Sequence, residues 1–377
     1  MSMELTKCKL GEVVTLLNGR AYLMPELQDS GKYRILRVGN LSGGNDSWYY
    51  SDMELDDNKY CESGDLLYAW ACNFGPHIWK EEKVIFHYHI WKLVVDKKKI
   101  NKFFLYYYLL HQTPFYLGGV NGATMVHITK KNMEKKTIYI PCSLETQHHI
   151  ASILSTYDSL IENNTKRIRL LEKMAENLYK EWFVRFRFPG HEKVEMENGL
   201  PKGWTVEKVK DWCRVFTGRK DVNQTKEDGQ YVFFSCSPNT FHSDEFIYDG
   251  KAILVAGNGS YTGRTRYFEG KFDLYQRTYA VVSNKEDDSF MFYLYLRFKF
   301  DFEPMHSGGT RGSAIPYIVM KDLTKYKFLY KEDIVEEYIK KVKPMFAEID
   351  NLQQQNILLA RQRDLLLPRL MSGKLEV

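Results

Sequence analysis

The stretch Ile150-Ala-Ser-Ile-Leu-Ser-Thr-Tyr-Asp-Ser-Leu-Ile-Glu-Asn-Asn-Thr-Lys-Arg-Ile-Arg-Leu-Leu-Glu-Lys-Met-Ala-Glu-Asn-Leu-Tyr-Lys-Glu-Trp-Phe183 decides the architecture of this chain. Every seventh residue from Ile150 reads Ile150, Tyr157, Asn164, Leu171 and Leu178, and the companion series reads Leu154, Ile161, Ile168, Ala175 and Trp182. Mostly apolar positions at this period line one seam of an α-helix over about five heptads. Such a helix is roughly 50 Å long at about 1.5 Å per residue. An isolated helix cannot bury that seam. A matching series supplies a partner: Tyr338, Met345, Leu352, Leu359 and Leu366, with Val342, Ile349, Asn356, Arg363 and Leu370. Each helix could instead pack on its own globular part. Shared length, seam phase and position favour a coiled coil that holds two domains apart, its helices expected to run antiparallel. Pro344 lacks an amide donor, so it is expected to start the second helix or kink it, and Pro368 to act likewise near the end.

With ends matched, the layers pair residues whose numbers add to 520: Ile150 with Leu370, Ile161 with Leu359, Trp182 with Tyr338. Asn164 then shares a layer with Asn356, where the two amides can bond each other and penalise slipped registers. Solvent-facing asparagines at a loosened spot are the alternative. The expected centre of the pair is Leu154, Ile161, Asn164, Ile168 and Leu171 against Ile349, Leu352, Asn356 and Leu359.

Outward from the helices, the chain repeats once. Lys9–Glu12 through Asn18-Gly19-Arg20 has a counterpart in Lys208–Asp211 through Thr217-Gly218-Arg219, and Phe103–Leu109 matches Phe290–Leu296. Gly122-Ala-Thr, Ile128 and Lys131–Met133 correspond to Gly312-Ser-Ala, Ile318 and Lys321–Leu323. The order is the same in both halves. Each half reads as a globular part, then a long helix: 1–143, 144–188, 189–331 and 332–377, with a charged Pro/Gly-bearing linker between Phe183 and Trp204. Short aromatic and β-branched runs such as Leu66–Trp70, Trp91–Val95, Ala252–Ala256 and Tyr279–Ser283 predict strands. Asn101–His111 and Ser289–Lys299 predict one helix in each globular part. The fold class is α+β: two similar globular domains with curved, mainly antiparallel sheets, separated by the helical pair.

The 377 residues carry 26 Tyr, 22 Phe and 7 Trp, too many aromatics for a disordered chain. With 25 Gly and 11 Pro, collagen-like and low-complexity classes fail as well. Six cysteines (Cys8, Cys61, Cys72, Cys142, Cys213, Cys236) form no CxxC pair and show no zinc spacing with histidine. The start has no signal-peptide core, and the longest apolar clusters fall short of the roughly 20 residues that span a bilayer. A reduced, soluble, cytoplasmic protein is expected. The net charge of +5 is compatible with nucleic acid and lies mainly in the two globular parts.

No phosphate loop, GxSxG elbow, HExxH pair or kinase set occurs, and no Pro-Pro dipeptide offers an amino-methyltransferase loop. The chain reads as non-catalytic and metal-free. His87–His89 and the acidic pairs read as surface or half-core residues. What remains are Gly-rich, basic, aromatic loops at equivalent places, whose backbone can approach phosphates while side chains reach phosphates or bases. One pair is the Asn73–His77 region and Gly257–Tyr267, giving Asn73, His77, Arg264 and Arg266 as DNA-binding candidates. The other is Gly118–Gly122 and Gly308–Gly312, giving Asn121 and Arg311. Arg20, Arg219 and Lys220 complete the set. Tight turns with solvated charges are the competing reading of every one of these loops.

This layout resembles the specificity (S) subunit of type I restriction–modification enzymes across essentially the whole chain. The most specific parts are Glu181-Trp-Phe-Val-Arg-Phe186, Gly199-Leu-Pro-Lys-Gly-Trp204, Ile140-Pro-Cys-Ser-Leu-Glu-Thr-Gln147 and Leu366-Leu-Pro-Arg-Leu-Met-Ser-Gly-Lys-Leu-Glu-Val377. Tyr330-Lys-Glu-Asp333 departs from the pattern by lacking the usual Pro and Gln. The resemblance implies two target recognition domains, each reading one half of a split double-stranded DNA site. It also implies docking of two methyltransferase subunits, which carry S-adenosylmethionine and methylate adenine N6. Restriction motor-nuclease subunits with ATP and magnesium would complete the complex, and no cofactor would bind this chain. A coiled-coil or DNA-binding adaptor outside restriction, or the specificity part of a methylation-only system, is the alternative. A fused endonuclease–methyltransferase fragment would need catalytic motifs that the sequence lacks.

Overall fold

The computed structural model describes residues 4–41, 47–117, 128–226, 228–307 and 315–375. They form two compact units, one from residues 1–165 with 353–377 and the other from 166–352. Compactness therefore divides the chain inside the long helices, not at their ends.

Unit 1 contains β1 (Leu5–Lys9), β2 (Val14–Asn18), β3 (Tyr33–Leu36), β4 (Tyr49–Ser51), β5 (Tyr60–Cys61), β6 (Leu66–Ala69), β7 (Gly75–Ile78), β8 (Val84–Phe86), β9 (Ile90–Val95) and β10 (Thr137–Pro141). Two four-stranded sheets run β2-β9-β6-β7 and β4-β3-β8-β5, while β1 pairs with β10. Only β3 and β8 pair in parallel among the described strands of this unit. The all-apolar run Leu66–Ala69 is explained by burial on both faces. Leu66 and Tyr68 join the cluster formed with Phe104, Leu105 and Leu109 of α1 (Lys102–Leu117), and Leu67 and Ala69 join a second one with Leu36, Phe86 and Ile90. The first cluster continues into Ile150 and Leu154 of α2 (Leu144–Tyr179) and into Leu370 and Met371 at the far end of the chain.

Unit 2 repeats the plan. Its strands are β11 (Met196–Glu197), β12 (Leu200–Pro201), β13 (Thr205–Lys208), β14 (Cys213–Thr217), β15 (Tyr231–Phe234), β16 (Thr240–Ser243), β17 (Tyr248–Ala256), β18 (Thr265–Leu274), β19 (Thr278–Ser283) and β20 (Lys327–Tyr330). A six-stranded sheet runs β14-β19-β17-β18-β15-β16, and β13 pairs with β20. The pairings of β2, β9 and β6 recur in β14, β19 and β17, and the parallel β3–β8 pair recurs in β15–β18. The sheets of the two halves differ in continuity. The long β17–β18 ribbon pairs continuously from Tyr248–Phe272 to Val255–Thr265. In unit 1 its counterpart is cut into β5, β6, β7 and β8, and at the junction the buried Trp79 bonds through its backbone to Gly64 and Asp65 and through its indole to the Glu82 carbonyl. Two similar domains thus carry one broken sheet and one whole sheet.

Three sequence expectations change. The stretch from Phe183 to Trp204 is not a loose linker: Phe183, Phe188 and Trp204 are buried in the unit 2 core, and Asn198-Gly199, both at positive φ, turn the β11–β12 hairpin. The helix of unit 2, α3 (Met291–Arg297), is short and continues through a wider π-turn at Phe298–Phe302. Pro344 does not start α4 (Glu332–Met371), and Pro368 does not end it. Both lie inside the helix, where buried Val342 and Ile349 on one side of Pro344 and the other outweigh a lost hydrogen bond costing about 3 kcal/mol.

Candidate nucleic-acid interface

In both units the loops leaving one end of the sheet converge. In unit 2 the exit of β14, the β15–β16 loop, the β17–β18 loop and the β18–β19 turn are tied by backbone bonds: Gln276 N–H to Lys220 O, Tyr275 N–H to Phe234 O and Gly257 N–H to Arg277 O. Cys236 Sγ donates to Asn258 Oδ1 and to Arg277 O at 3.3 and 3.2 Å. The segment beginning at Ile315 joins them through Gly259 N–H to Pro316 O and Ile318 N–H to Gly257 O. In unit 1 the same end is tied by Arg20 N–H to Phe86 O, Tyr88 N–H to Arg20 O, His87 N–H to Leu36 O and Trp70 N–H to His89 O. Gly19 and Gly218 allow this crossing, since a Cβ would lie 2.4 Å from Phe86 O in one and 1.8 Å from Leu274 O in the other.

Cations of two kinds sit at these ends, and the sequence could not separate them. Arg20 is held by both oxygens of Glu26 at 2.7 and 2.9 Å, which raises its pKa and lowers that of Glu26. Lys220 reaches Asp273 at 2.8 Å, Ser243 Oγ at 2.9 Å and Glu245 at 3.0 Å, and the bond to Asp273 raises its pKa. Both occupy the same position, each in a parallel bridge to the turn opposite. Both charges are met by carboxylates of the fold.

Arg264 and Arg266 are the contrary case. Arg266 donates Nη2–H to Ser237 O at 2.6 Å and lies over the Phe234 ring, and burial together with neighbouring Arg264 lowers its pKa. Arg264 lies over Tyr261, and its shielded Nη1 has no hydrogen-bond partner among the described residues. The two guanidiniums border a narrow recess walled by Phe234, Cys236, Leu254 and Thr278, with no carboxylate in its lining. Arg219 is exposed and also has no partner among the described residues; nor does the side chain of Arg277, which the sequence reading passed over. In unit 1, Asn73 is exposed in the β6–β7 loop beside Cys72 at φ 62°, and His77 is half-buried on β7, its pKa lowered by burial. Asn121 and Arg311 lie outside the described residues.

The position of Arg277 is taken in unit 1 by His89, part of a ring cluster that sequence reasoning set aside. His87, Tyr88 and His89 have centroids 4.0–4.8 Å apart, with Trp70 edge-on to His89 at 5.1 Å. Burial, then His89 and Arg37, push the His87 pKa down to about 4. Aligning the two hairpin turns of the repeat would have revealed this equivalence.

Along the helices, Leu154, Asn164, Ile349 and Leu352 are buried, and Ile161, Ile168, Leu171, Asn356 and Leu359 are half-buried. Within unit 2, Trp182 meets Tyr338 at 5.8 Å. Within unit 1, Asn164 and Asn356 lie at one level but do not bond each other. Asn164 Nδ2–H donates to Gln355 Oε1, Asn356 Nδ2–H donates to Thr165 Oγ1, each at 3.4 Å, and Asn356 Oδ1 is left buried without a partner. Each amide finds the residue beside the expected partner.

A duplicated α+β domain, with loops gathered at one sheet end and arginines left without acidic partners, defines a protein that recognises nucleic acid in two parts. A family model described as "Type I restriction modification DNA specificity domain" matches residues 3–173 and again 201–330. The chain belongs to this family, the specificity subunits of type I restriction–modification enzymes. It is 28% identical over 318 residues, 75% of its length, to the type I restriction enzyme MjaIX specificity subunit of Methanocaldococcus jannaschii, of which 71% is covered. Over 181 residues, 47% of the chain, it is 30% identical to the Escherichia coli EcoDI specificity subunit, covering 39% of that protein. The crystal structure of a type I restriction–modification S subunit from M. genitalium has the same fold, with a TM-score of 0.64 over 98% of this chain and 96% of that one at 16% identity. The chain is thus a non-catalytic DNA-specificity subunit whose two domains fit a bipartite target, with catalysis carried by partner subunits.

Proposed function

We propose that unit 1 and unit 2 each read one half of a split duplex target and that the chain recruits two adenine-N6 methyltransferase subunits in the cytoplasm. S-adenosylmethionine belongs to those partners, and ATP with magnesium to the restriction subunits. The observation that carries this reading is that one loop framework bears different chemistry in its two copies. Arg219, Arg264, Arg266 and Arg277, none held by a carboxylate among the described residues, stand in unit 2, whereas Asn73, His77 and the His87–His89 rings stand in unit 1. Guanidiniums suit phosphates and guanine edges, and rings with amides suit other base edges, so two unlike half-sites follow.

Mapping methylated adenines in cells that carry the methyltransferase, with and without this chain, tests the reading: a split motif should appear only with it. Exchanging residues 1–143 for those of another such subunit should change one half of the motif alone. Arg264→Ala should weaken binding without unfolding unit 2. If it contacts a phosphate the salt slope falls by about 1; if it contacts a base, about 1–3 kcal/mol is lost at one position. A swap that altered both halves would refute independent reading.

A further inference from the structure

Met24 and Leu23, at 76% and 70%, are the most exposed large apolar side chains among the described residues, and they are consecutive. They crown a stiff turn. Pro25 fixes its backbone, Glu26 N–H donates to Leu23 O at 2.9 Å, and Leu27 N–H donates to Met24 O at 3.2 Å. The Glu26 carboxylate takes Leu23 N–H at 2.8 Å and both Arg20 nitrogens, so one side chain pins the tip to the loop junction. Tyr22 and Leu27 anchor the base by packing with Ile35, Tyr60 and Ile85, and Tyr22 stacks near His87 at 6.4 Å. The tip therefore stands beside the rings of the candidate interface. Unit 2 keeps the same turn, with Asp221 N–H bonded to Gln224 Oε1 at 2.7 Å, yet its tip reads Asp221-Val222-Asn223. The scaffold does not require the apolar pair.

We propose that Leu23 and Met24 form an apolar wedge that enters a base-pair step of the duplex bound by unit 1. A pinned pair of bare apolar side chains beside a DNA-contacting edge is the arrangement that unstacks a step and bends the helix, with unstacking offset by apolar burial. The step would be a deformable one, and sequence preference at it arises without a hydrogen bond. Unit 2, with Asp221 in place of Leu23 and a half-buried Val222 in place of Met24, leaves its half-site stacked. The inference rests on the reading that unit 1 contacts DNA.

The test uses the full chain assembled with its methyltransferase and a duplex target carrying 2-aminopurine at successive positions. Away from the target adenines, which the methyltransferases flip out in both half-sites, fluorescence should rise severalfold at one step of the half-site read by unit 1 and at none in the other. L23S/M24S should abolish that rise and weaken binding about tenfold, since the gain from burial largely cancels the cost of unstacking. Its melting temperature and its association with the methyltransferase should stay unchanged. Tight binding by the wild type with no unstacked step would overturn the wedge, as would a double variant that lost the methyltransferase but kept the fluorescence. Failure of the wild-type complex to bind the duplex would overturn the reading of unit 1 itself, and the wedge with it.

Discussion

Replacing Lys220 with methionine separates a cation that holds the fold from one that holds DNA. Lys220 is 25% exposed and its partner Asp273 only 6%, at 2.8 Å. At that distance an effective dielectric constant of about 20 gives an attraction of ~6 kcal/mol, much of it cancelled by the desolvation of both ions. Removing one partner of a buried pair costs about 3–5 kcal/mol, because the other charge is stranded. Asp273 would keep Ser243 Oγ and the Leu274 amide, both at 2.9 Å. The expected loss for Lys220→Met is therefore about 3 kcal/mol, the bottom of that range. For a unit of this size the calorimetric transition should fall by roughly 5–10 °C. Adding Asp273→Asn removes the stranded charge and should restore most of the loss. DNA affinity, titrated against salt at a temperature where the variant is folded, should keep its slope. An unchanged melting transition together with a slope reduced by about 1 would show that Lys220 contacts phosphate, and the reasoning would fail.

Two further outcomes follow from groups already described. Because His87 titrates near 4 in the folded protein and near 6.5 when unfolded, the unfolded chain binds the proton first. Unit 1 should lose stability as pH falls from about 6.5 towards 4, and His87→Phe should flatten that slope in urea titrations at pH 7 and pH 5. Asn164→Leu with Asn356→Leu removes two long hydrogen bonds and one orphaned carbonyl, so unit 1 should gain about 1–3 kcal/mol of denaturant stability. A loss would mean the amides stabilise the layer.

The helices and the repeat were legible because they are written in periods. Every seam position from Ile150 to Leu370 is buried or half-buried, including Arg363, whose charge is met by Asp158. The strands at Leu66–Ala69, Ile90–Val95, Tyr248–Ala256 and Thr278–Ser283 were legible as aromatic and β-branched runs. The status of the basic residues was not. Arg20 and Arg264 follow similar glycines and aromatics, and only the tertiary placement of Glu26 against one, with no acid against the other, tells them apart. Lys220 depends on an aspartate brought in by a distant strand, which no local pattern announces. The break in the unit 1 sheet falls where buried Trp79 bonds to Gly64, Asp65 and Glu82, contacts that no local pattern announces. Pro344 does not mark the start of its helix, because a local backbone preference of about 3 kcal/mol is small beside the seam on either side of it.

The make-up of unit 1 has a consequence for biosynthesis. Unit 2 is one uninterrupted run, residues 166–352, whereas unit 1 draws on both residues 1–165 and 353–377. A ribosome delivering roughly 5–20 residues per second releases everything unit 2 needs while unit 1 still lacks Leu367, Leu370 and Met371. During that interval the apolar patch of Ile150, Ala151 and Leu154 has no cover, so it is the nascent chain's exposed liability. A nonsense codon late in the message would leave unit 2 whole and strand unit 1, although every residue of its sheets had been made.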